Sequence, residues 1–226
     1  MEVKKMIKAV LFDLDGTLVN SLEDLADSTN YALKVSGYKT HETEKFKYFV
    51  GDGMPKLIER VLPEDKRNQE EIEKVLDIFL GYYKEHFTDK TKAYDGIYEL
   101  ISNIKVMGLK TAIISNKAHN MTLEVVDKLF KNTFDIVFGK KEGYPTKPDP
   151  KLTLILMEEL GVKPEECVLV GDSGMDAKAA VNAGCVGIGV LWGFRGEEEL
   201  RQNGASYIVD KPYKITEIIE ELNNES

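Results

Sequence analysis

Residues 6–12 are apolar except for Lys8, the pattern of a strand covered on both faces. The run stops at Asp13-Leu14-Asp15-Gly16-Thr17, where two carboxylates, a glycine and a hydroxyl crowd one turn. The period then changes. Leu22, Leu25, Ala26, Thr29 and Leu33 recur at helical spacing, with Ser21 placed as N-cap and Gly37 as the stop. Residues 44–49 read as a short helix and Val50-Gly51-Asp52-Gly53 as a turn. Met54-Pro55 opens a helix whose apolar face is Leu57, Ile58, Val61 and Leu62. Residues 68–87 carry the longest helical pattern, with Ile72, Val75, Leu76, Phe79 and Tyr83 on one side. No strand is expected anywhere in 19–87.

After a polar linker, 88–93, helices and strands alternate. Strands are expected at 109–114, 134–138, 167–170, 186–191 and 207–209, and helices at 96–107, 120–130, 150–160, 175–182, 197–202 and 214–222. Such alternation implies right-handed crossovers and an α/β fold built on a doubly wound parallel sheet, a Rossmann-like core. The expected domains are an α/β core, 1–18 with 88–226, and an all-helical insertion, 19–87.

Composition narrows the function. With 226 residues and 42% apolar content, the chain can bury a substantial core. A net charge of -9 argues against nucleic-acid partners and against a polybasic membrane patch. Cys167 and Cys185 lie in strand-like surroundings with no Cys-x-x-Cys spacing and read as small buried hydrophobes. No segment approaches the roughly 20 apolar residues of a membrane span, and no leader pattern precedes the first strand. A cytoplasmic protein, monomer or homodimer, is expected.

Open parallel sheets bind ligands outside the carboxyl ends of their strands, near the point where strand order reverses. The first strand delivers Asp13 and Asp15 there, the second Ser115 and Asn116, and the fourth Asp172 with Ser173 and Asp176 just beyond; Lys147 lies in the loop after the third. Adjacent carboxylates resist joint ionisation, so a cation is the usual reason to tolerate them. Oxygen ligands suit Mg2+ better than zinc, because His41, His86 and His119 lack metal-site spacing and read as solvated or capping residues. A cation with a lysine, a serine hydroxyl, an asparagine amide and turn N–H donors describes a phosphate site. Phosphoryl transfer asks for that positioning and charge neutralisation. Asp13 is placed to attack phosphorus covalently, and Asp15 to give and take the proton.

At these residues the chain resembles the haloacid dehalogenase superfamily, and within it the phosphoglycolate phosphatase group. The matching motifs are Asp13-Leu14-Asp15-Gly16-Thr17, Ser115-Asn116-Lys117, Lys147-Pro148-Asp149-Pro150, and Gly171-Asp172-Ser173 with Asp176. The resemblance implies Asp13 as nucleophile and magnesium ligand, and Asp15 as acid/base whose main-chain carbonyl also ligates the metal. It implies Asp172 as the further ligand, and Ser115, Lys147 and the Asn116 backbone N–H as phosphate holders. Thr17 would support the nucleophile loop and join the phosphate-binding set, Asp176 would orient Lys147 or metal-bound water, and Ser173 would be a supporting residue. The inserted helices look like a cap that closes over the site and excludes water. Asp52, Lys56 and Arg60 are its substrate candidates, while Arg60 and Arg67 also read as plain surface residues.

Two positions depart from the group's pattern: Asn20 stands where an aspartate is frequent, and Asp52 where an asparagine is. The second change bears on substrate choice. Trp192-Gly193-Phe194-Arg195 also resembles the group, with Trp192 read as packing and Arg195 as a solvated loop charge. The second aspartate, Asp15, favours phosphate ester hydrolysis over dehalogenation. The expected function is a Mg2+-dependent phosphatase for a small phosphorylated metabolite, phosphoglycolate foremost. A phosphosugar mutase, a pyrophosphatase, or a non-catalytic phosphate- or partner-binding module stay open as alternatives.

Overall fold

Strand β1 (Ala9–Phe12) is buried at every residue, as a strand in the middle of a helix-covered sheet must be. The computed structural model describes residues 6–51 and 53–225, so residues 1–5, Asp52 and Ser226 of the sequence reading lie outside the described residues. The chain continues through β2 (Val19–Asn20), α1 (Leu22–Val35), α2 (Phe46–Phe49), α3 (Met54–Val61), α4 (Gln69–His86) and β3 (Lys92–Ala93). Then follow α5 (Ile97–Val106), β4 (Lys110–Ala118), α6 (His119–Phe130), β5 (Ile136–Lys140), α7 (Pro150–Leu160) and β6 (Cys167–Gly171). The last elements are α8 (Gly174–Ala183), β7 (Val186–Val190), α9 (Glu197–Gln202), β8 (Tyr207–Val209) and α10 (Tyr213–Glu225).

Two compact units result: Met1–Val19 with Ala93–Ser226, and Asn20–Lys92. The first is an α/β unit around a six-stranded sheet of order β5-β4-β1-β6-β7-β8, with every pairing parallel. The order departs from β1 in both directions, so the carboxyl ends of β1, β4 and β6 lie side by side at the reversal. One face of the sheet is closed by Leu152, Leu156, Met157 and Leu160 of α7 and by Ala179, Ala180 and Ala183 of α8. The alanines let α8 sit close against Ala9, Leu11, Cys167 and Leu169. Burial pushes the Cys167 and Cys185 thiols up to about 12, which leaves both as inert apolar groups at neutral pH.

The second unit is helical. Its core includes Leu25, Leu33, Phe46, Leu57, Ile58, Val61, Val75, Phe79 and Tyr83. Asn68 caps α4 by accepting from the Glu71 N–H at 3.0 Å. Asp24, buried in α1, accepts from the Lys90 and Thr91 N–H groups and from the Thr91 hydroxyl, tying down the segment after α4.

Four expectations are corrected. The stretch 19–87 does hold a strand: β2 pairs with β3 in a two-stranded sheet too short to show any alternation. Ser21 stands at the α1 N-cap but makes no capping bond; the Leu22 N–H goes to Asn20 Oδ1 at 3.2 Å instead. β5 starts later than expected, because the Phe134 ring packs edge-on against Phe12 and Phe130, and the Asp135 carboxylate accepts from the Thr111 N–H. β4 does not stop at Ile114 before Ser115-Asn116 but runs on to Ala118, with a shift of register against β5 between Ile114 and Ala118.

Candidate active site

The Asp13 N–H still donates to Val170 O of β6 at 2.9 Å, and the chain leaves the sheet immediately afterwards. Leu14 O accepts from the Leu18 and Val19 N–H groups, and the Gly16 N–H donates back to Val19 O, which closes a tight loop. Gly16 holds φ 90°, the left-handed region that side chains avoid. A Cβ there would also run into the Asp172 carboxylate, and a Cβ on Gly193 would meet Asp172 and the Gly16 carbonyl. Asp172 is thus seated between two glycines.

Lys147 is the hub of the buried charges. Its Nζ stands 2.6 Å from Asp13 Oδ1 and 2.6 Å from Asp176 Oδ1, with its side chain 3% exposed. The Asn116 side chain grips the Lys147 peptide from both ends: its Oδ1 accepts from the Lys147 N–H at 3.0 Å, and its Nδ2 donates to Lys147 O at 3.3 Å. The Lys147–Pro148 bond is cis. Asp176 sits in the first turn of α8, and its Oδ2 accepts from the Ser173 N–H and hydroxyl, a capping box that leaves Oδ1 for Lys147. Ser115 is buried, and its Oγ accepts from the Lys117 N–H at 3.1 Å.

The sequence reading passed over two contributors. Lys117 enters the sequence pattern only as the third residue of Ser115-Asn116-Lys117, yet its side chain is 2% exposed and its Nζ lies 3.2 Å from Asp15 Oδ1. Its position offered a signal: Lys117 follows Ser115 and Asn116 at the carboxyl end of β4, where ligands of a parallel sheet gather. Trp192, expected only to pack, donates from Nε1 to Thr17 O at 2.9 Å, and the Phe194 N–H donates to Asp172 Oδ2 at 2.7 Å. The loop after β7 therefore braces the loop after β1, a pairing with no local signature. Arg195, expected to be solvated, is 14% exposed on its side chain and pairs with Glu199 at 3.2 Å, one helical turn on. The Thr17 hydroxyl faces Asp172 Oδ1 at 3.4 Å.

In the helical unit, Lys56 is exposed and paired with Glu59 at 2.7 Å, and Arg60 donates to Phe49 O at 3.0 Å. Arg67 donates to Leu62 O at 3.0 Å. The histidines stand in unrelated places: His41 on Val61 O, His86 on Asp89, and His119 accepting from the Gly139 N–H.

Asp13, Asp172 and Asp176 bring carboxylate oxygens within 4.8 Å of one another, all buried. Burial drives Asp13 up to about 7, against the pull of Lys147, with Asp176 and Asp15 pushing the same way as burial. Burial, then Asp13 and Asp176, hold Asp172 well above the usual carboxylate range. Lys147 loses hydration, but the Asp13 and Asp176 charges outweigh that and raise it above an ordinary lysine. Burial and the Asp172 and Asp15 carboxylates push the Tyr94 phenol up.

With Asp15 included, four carboxylates face two ammonium groups, Lys117 and Lys147, leaving two negative charges uncompensated when all are ionised. An all-oxygen donor set with that surplus fits a hard divalent cation such as Mg2+. Both Asp176 oxygens are held at 2.6 Å, by Lys147 and by the Ser173 hydroxyl, whereas among the described residues Asp172 Oδ1 has only the 3.4 Å contact with Thr17, so Asp13 and Asp172 are the better-disposed ligands.

A family model described as haloacid dehalogenase-like hydrolase matches residues 10–190. A phosphoglycolate phosphatase of Chromobacterium violaceum is 32% identical over 194 residues, covering 84% of this chain and 87% of its own. One of Colwellia psychrerythraea is 34% identical over 209 residues, 90% of this chain and 92% of its own. A solved structure from Lactobacillus delbrueckii subsp. bulgaricus superposes with a TM-score of 0.90 at 33% identity, covering 95% of this chain and 98% of that one.

Proposed function

The chain belongs to the haloacid dehalogenase-like hydrolase family, and from that premise we propose that it is a Mg2+-dependent phosphatase acting on a small phosphorylated metabolite, phosphoglycolate first. The observation that carries the reading is the buried junction of Asp13, Asp172, Asp176 and Lys147 at the sheet's reversal point, a carboxylate–ammonium set with a cation's worth of charge missing. The names of the relatives point to the ester.

Asp13 serves as nucleophile: a carboxylate oxygen bonds to phosphorus while the ester P–O bond breaks, giving an aspartyl-phosphate. Asp15 gives its proton to the departing alkoxide and later takes one from the hydrolytic water. Lys147, Ser115, Thr17 and the Asn116 N–H hold the phosphoryl oxygens, and Asp176 keeps Lys147 aimed. Asp13, Asp172 and the Asp15 carbonyl would hold Mg2+, which when bound neutralises charge between nucleophile and phosphate. The helical unit, through Asp52, Lys56 and Arg60, selects the substrate.

The test is inorganic phosphate release from a panel of phosphorylated metabolites with Mg2+, for wild type and Asp13→Asn. Release from phosphoglycolate by wild type alone is expected. Equal rates for both proteins would overturn the reading, and isomerised sugar 1-phosphate in place of free phosphate would make the protein a mutase.

A further inference from the structure

We infer that Lys117 is a positioning residue for Asp15, fixing the carboxyl group that handles the leaving-group proton; the inference rests on the phosphatase reading above. The lysine side chain is 2% exposed and that of Asp15 is 19% exposed, so this is an ion pair held largely out of water. A lysine loses much rotamer freedom on such burial, and its ammonium is tolerated there only with a partner. One such partner, Asp15, lies 102 residues away in sequence, at 3.2 Å from Nζ to Oδ1.

The two ammonium groups divide their work. Lys147 engages Asp13 and Asp176, while Lys117 engages Asp15, so each aspartate of the Asp-x-Asp turn has its own cation. The Lys117 backbone is itself pinned, because its N–H donates to the buried Ser115 Oγ, and its carbonyl accepts from the Thr122 hydroxyl at 3.3 Å. Donation to Oδ1 fixes the carboxyl plane and leaves Oδ2 as the oxygen that carries the proton when Asp15 acts as the acid. As the Asp13 oxygen bonds to phosphorus and the ester P–O bond breaks, the bond's electron pair leaves on the alkoxide oxygen, which takes that proton. Misplacing a proton donor by even an ångström is expensive in rate.

The experiment compares an alkyl phosphate, phosphoglycolate, with 4-nitrophenyl phosphate, whose leaving group departs as a stable anion. For Lys117→Met, kcat on phosphoglycolate is expected to fall about 100-fold with KM little changed, and kcat on the aryl ester to fall about tenfold or less. In an Asp15→Asn background the same substitution is expected to add nothing. Lys117→Arg keeps the charge but replaces a compact donor with a planar fork, so a loss of about tenfold on the alkyl ester alone is expected. The arginine variant decides the matter should Lys117→Met not fold.

Equal losses on both esters, a loss carried by KM, or a further loss in the Asp15→Asn background would each overturn the inference while leaving the phosphatase reading intact. Wild-type and Asp13→Asn proteins that are equally active, or equally silent, would overturn the phosphatase reading and this inference together.

Discussion

Lys147 Nζ bridges Asp13 Oδ1 and Asp176 Oδ1 at 2.6 Å each, so a carboxylate from the turn after the first strand and one from α8 share one buried cation. Lys147→Met leaves both carboxylates without it. Phosphate release is expected to fall about 100- to 1,000-fold, by loss of the charge proposed to face the transferring group. Stability is expected to drop by up to about 3–5 kcal/mol, as for a buried pair broken on one side. Steady-state kinetics and urea unfolding check the two effects; an unchanged kcat would remove Lys147 from the machinery.

Asp13 sets a pH dependence. Its folded-state value of about 7 lies above its ordinary 3.8. The contribution of this group to stability is therefore fully present below the unfolded value and lost as pH rises through about 7. In metal-free protein, the stability of wild type relative to Asp13→Asn is expected to fall by an amount on the order of a few kcal/mol across that window. Mg2+ should act in the opposite sense, stabilising wild type more as pH rises, because a ligating carboxylate must be ionised. Urea titrations of both proteins, with Mg2+ and with chelator, measure this; a flat difference would refute it.

Asn116 holds the Lys147 peptide through two hydrogen bonds. Asn116→Ala is expected to cost about 1–3 kcal/mol of stability, since it strips partners from a half-buried peptide group. kcat is expected to fall with it, because the Lys147 loop loses its anchor. Asn116→Asp, which keeps the acceptor but not the donor, should retain part of both.

Trp192 and Gly193 brace the loop after β1 from outside. Trp192→Phe keeps an aromatic ring but trims the indole and removes the bond to Thr17 O, with an expected loss of about 1–2 kcal/mol. Gly193→Ala forces a methyl group against Asp172 and the Gly16 carbonyl, so it is expected to weaken Mg2+ binding more than folding. Calorimetric titration with Mg2+ separates the two variants.

The sequence by itself determined the principal helices and the strands of the six-stranded sheet, the alternation after residue 93, and the turn that carries Asp13 and Asp15. These depend on residues a few positions apart: the period of apolar side chains, the cap at Asn68, and the glycine that a left-handed turn requires at position 16. Its errors lie where distant parts meet. The two-residue pairing of β2 with β3 has no period to read, and Phe134 left the expected strand in order to pack on Phe12.

Only the tertiary structure decided how the polar residues pair. Lys117 meets Asp15 across 102 residues, Asn116 meets Lys147 across 31, and Trp192 meets Thr17 across 175. A lysine at a strand end, taken alone, belongs in water. Parallel register sets the ends of β1, β4 and β6 side by side, and that neighbourhood turns Lys117 into a buried partner of Asp15. Hydrophobic periodicity records which face of an element is covered; it carries no information on which distant side chain will stand opposite.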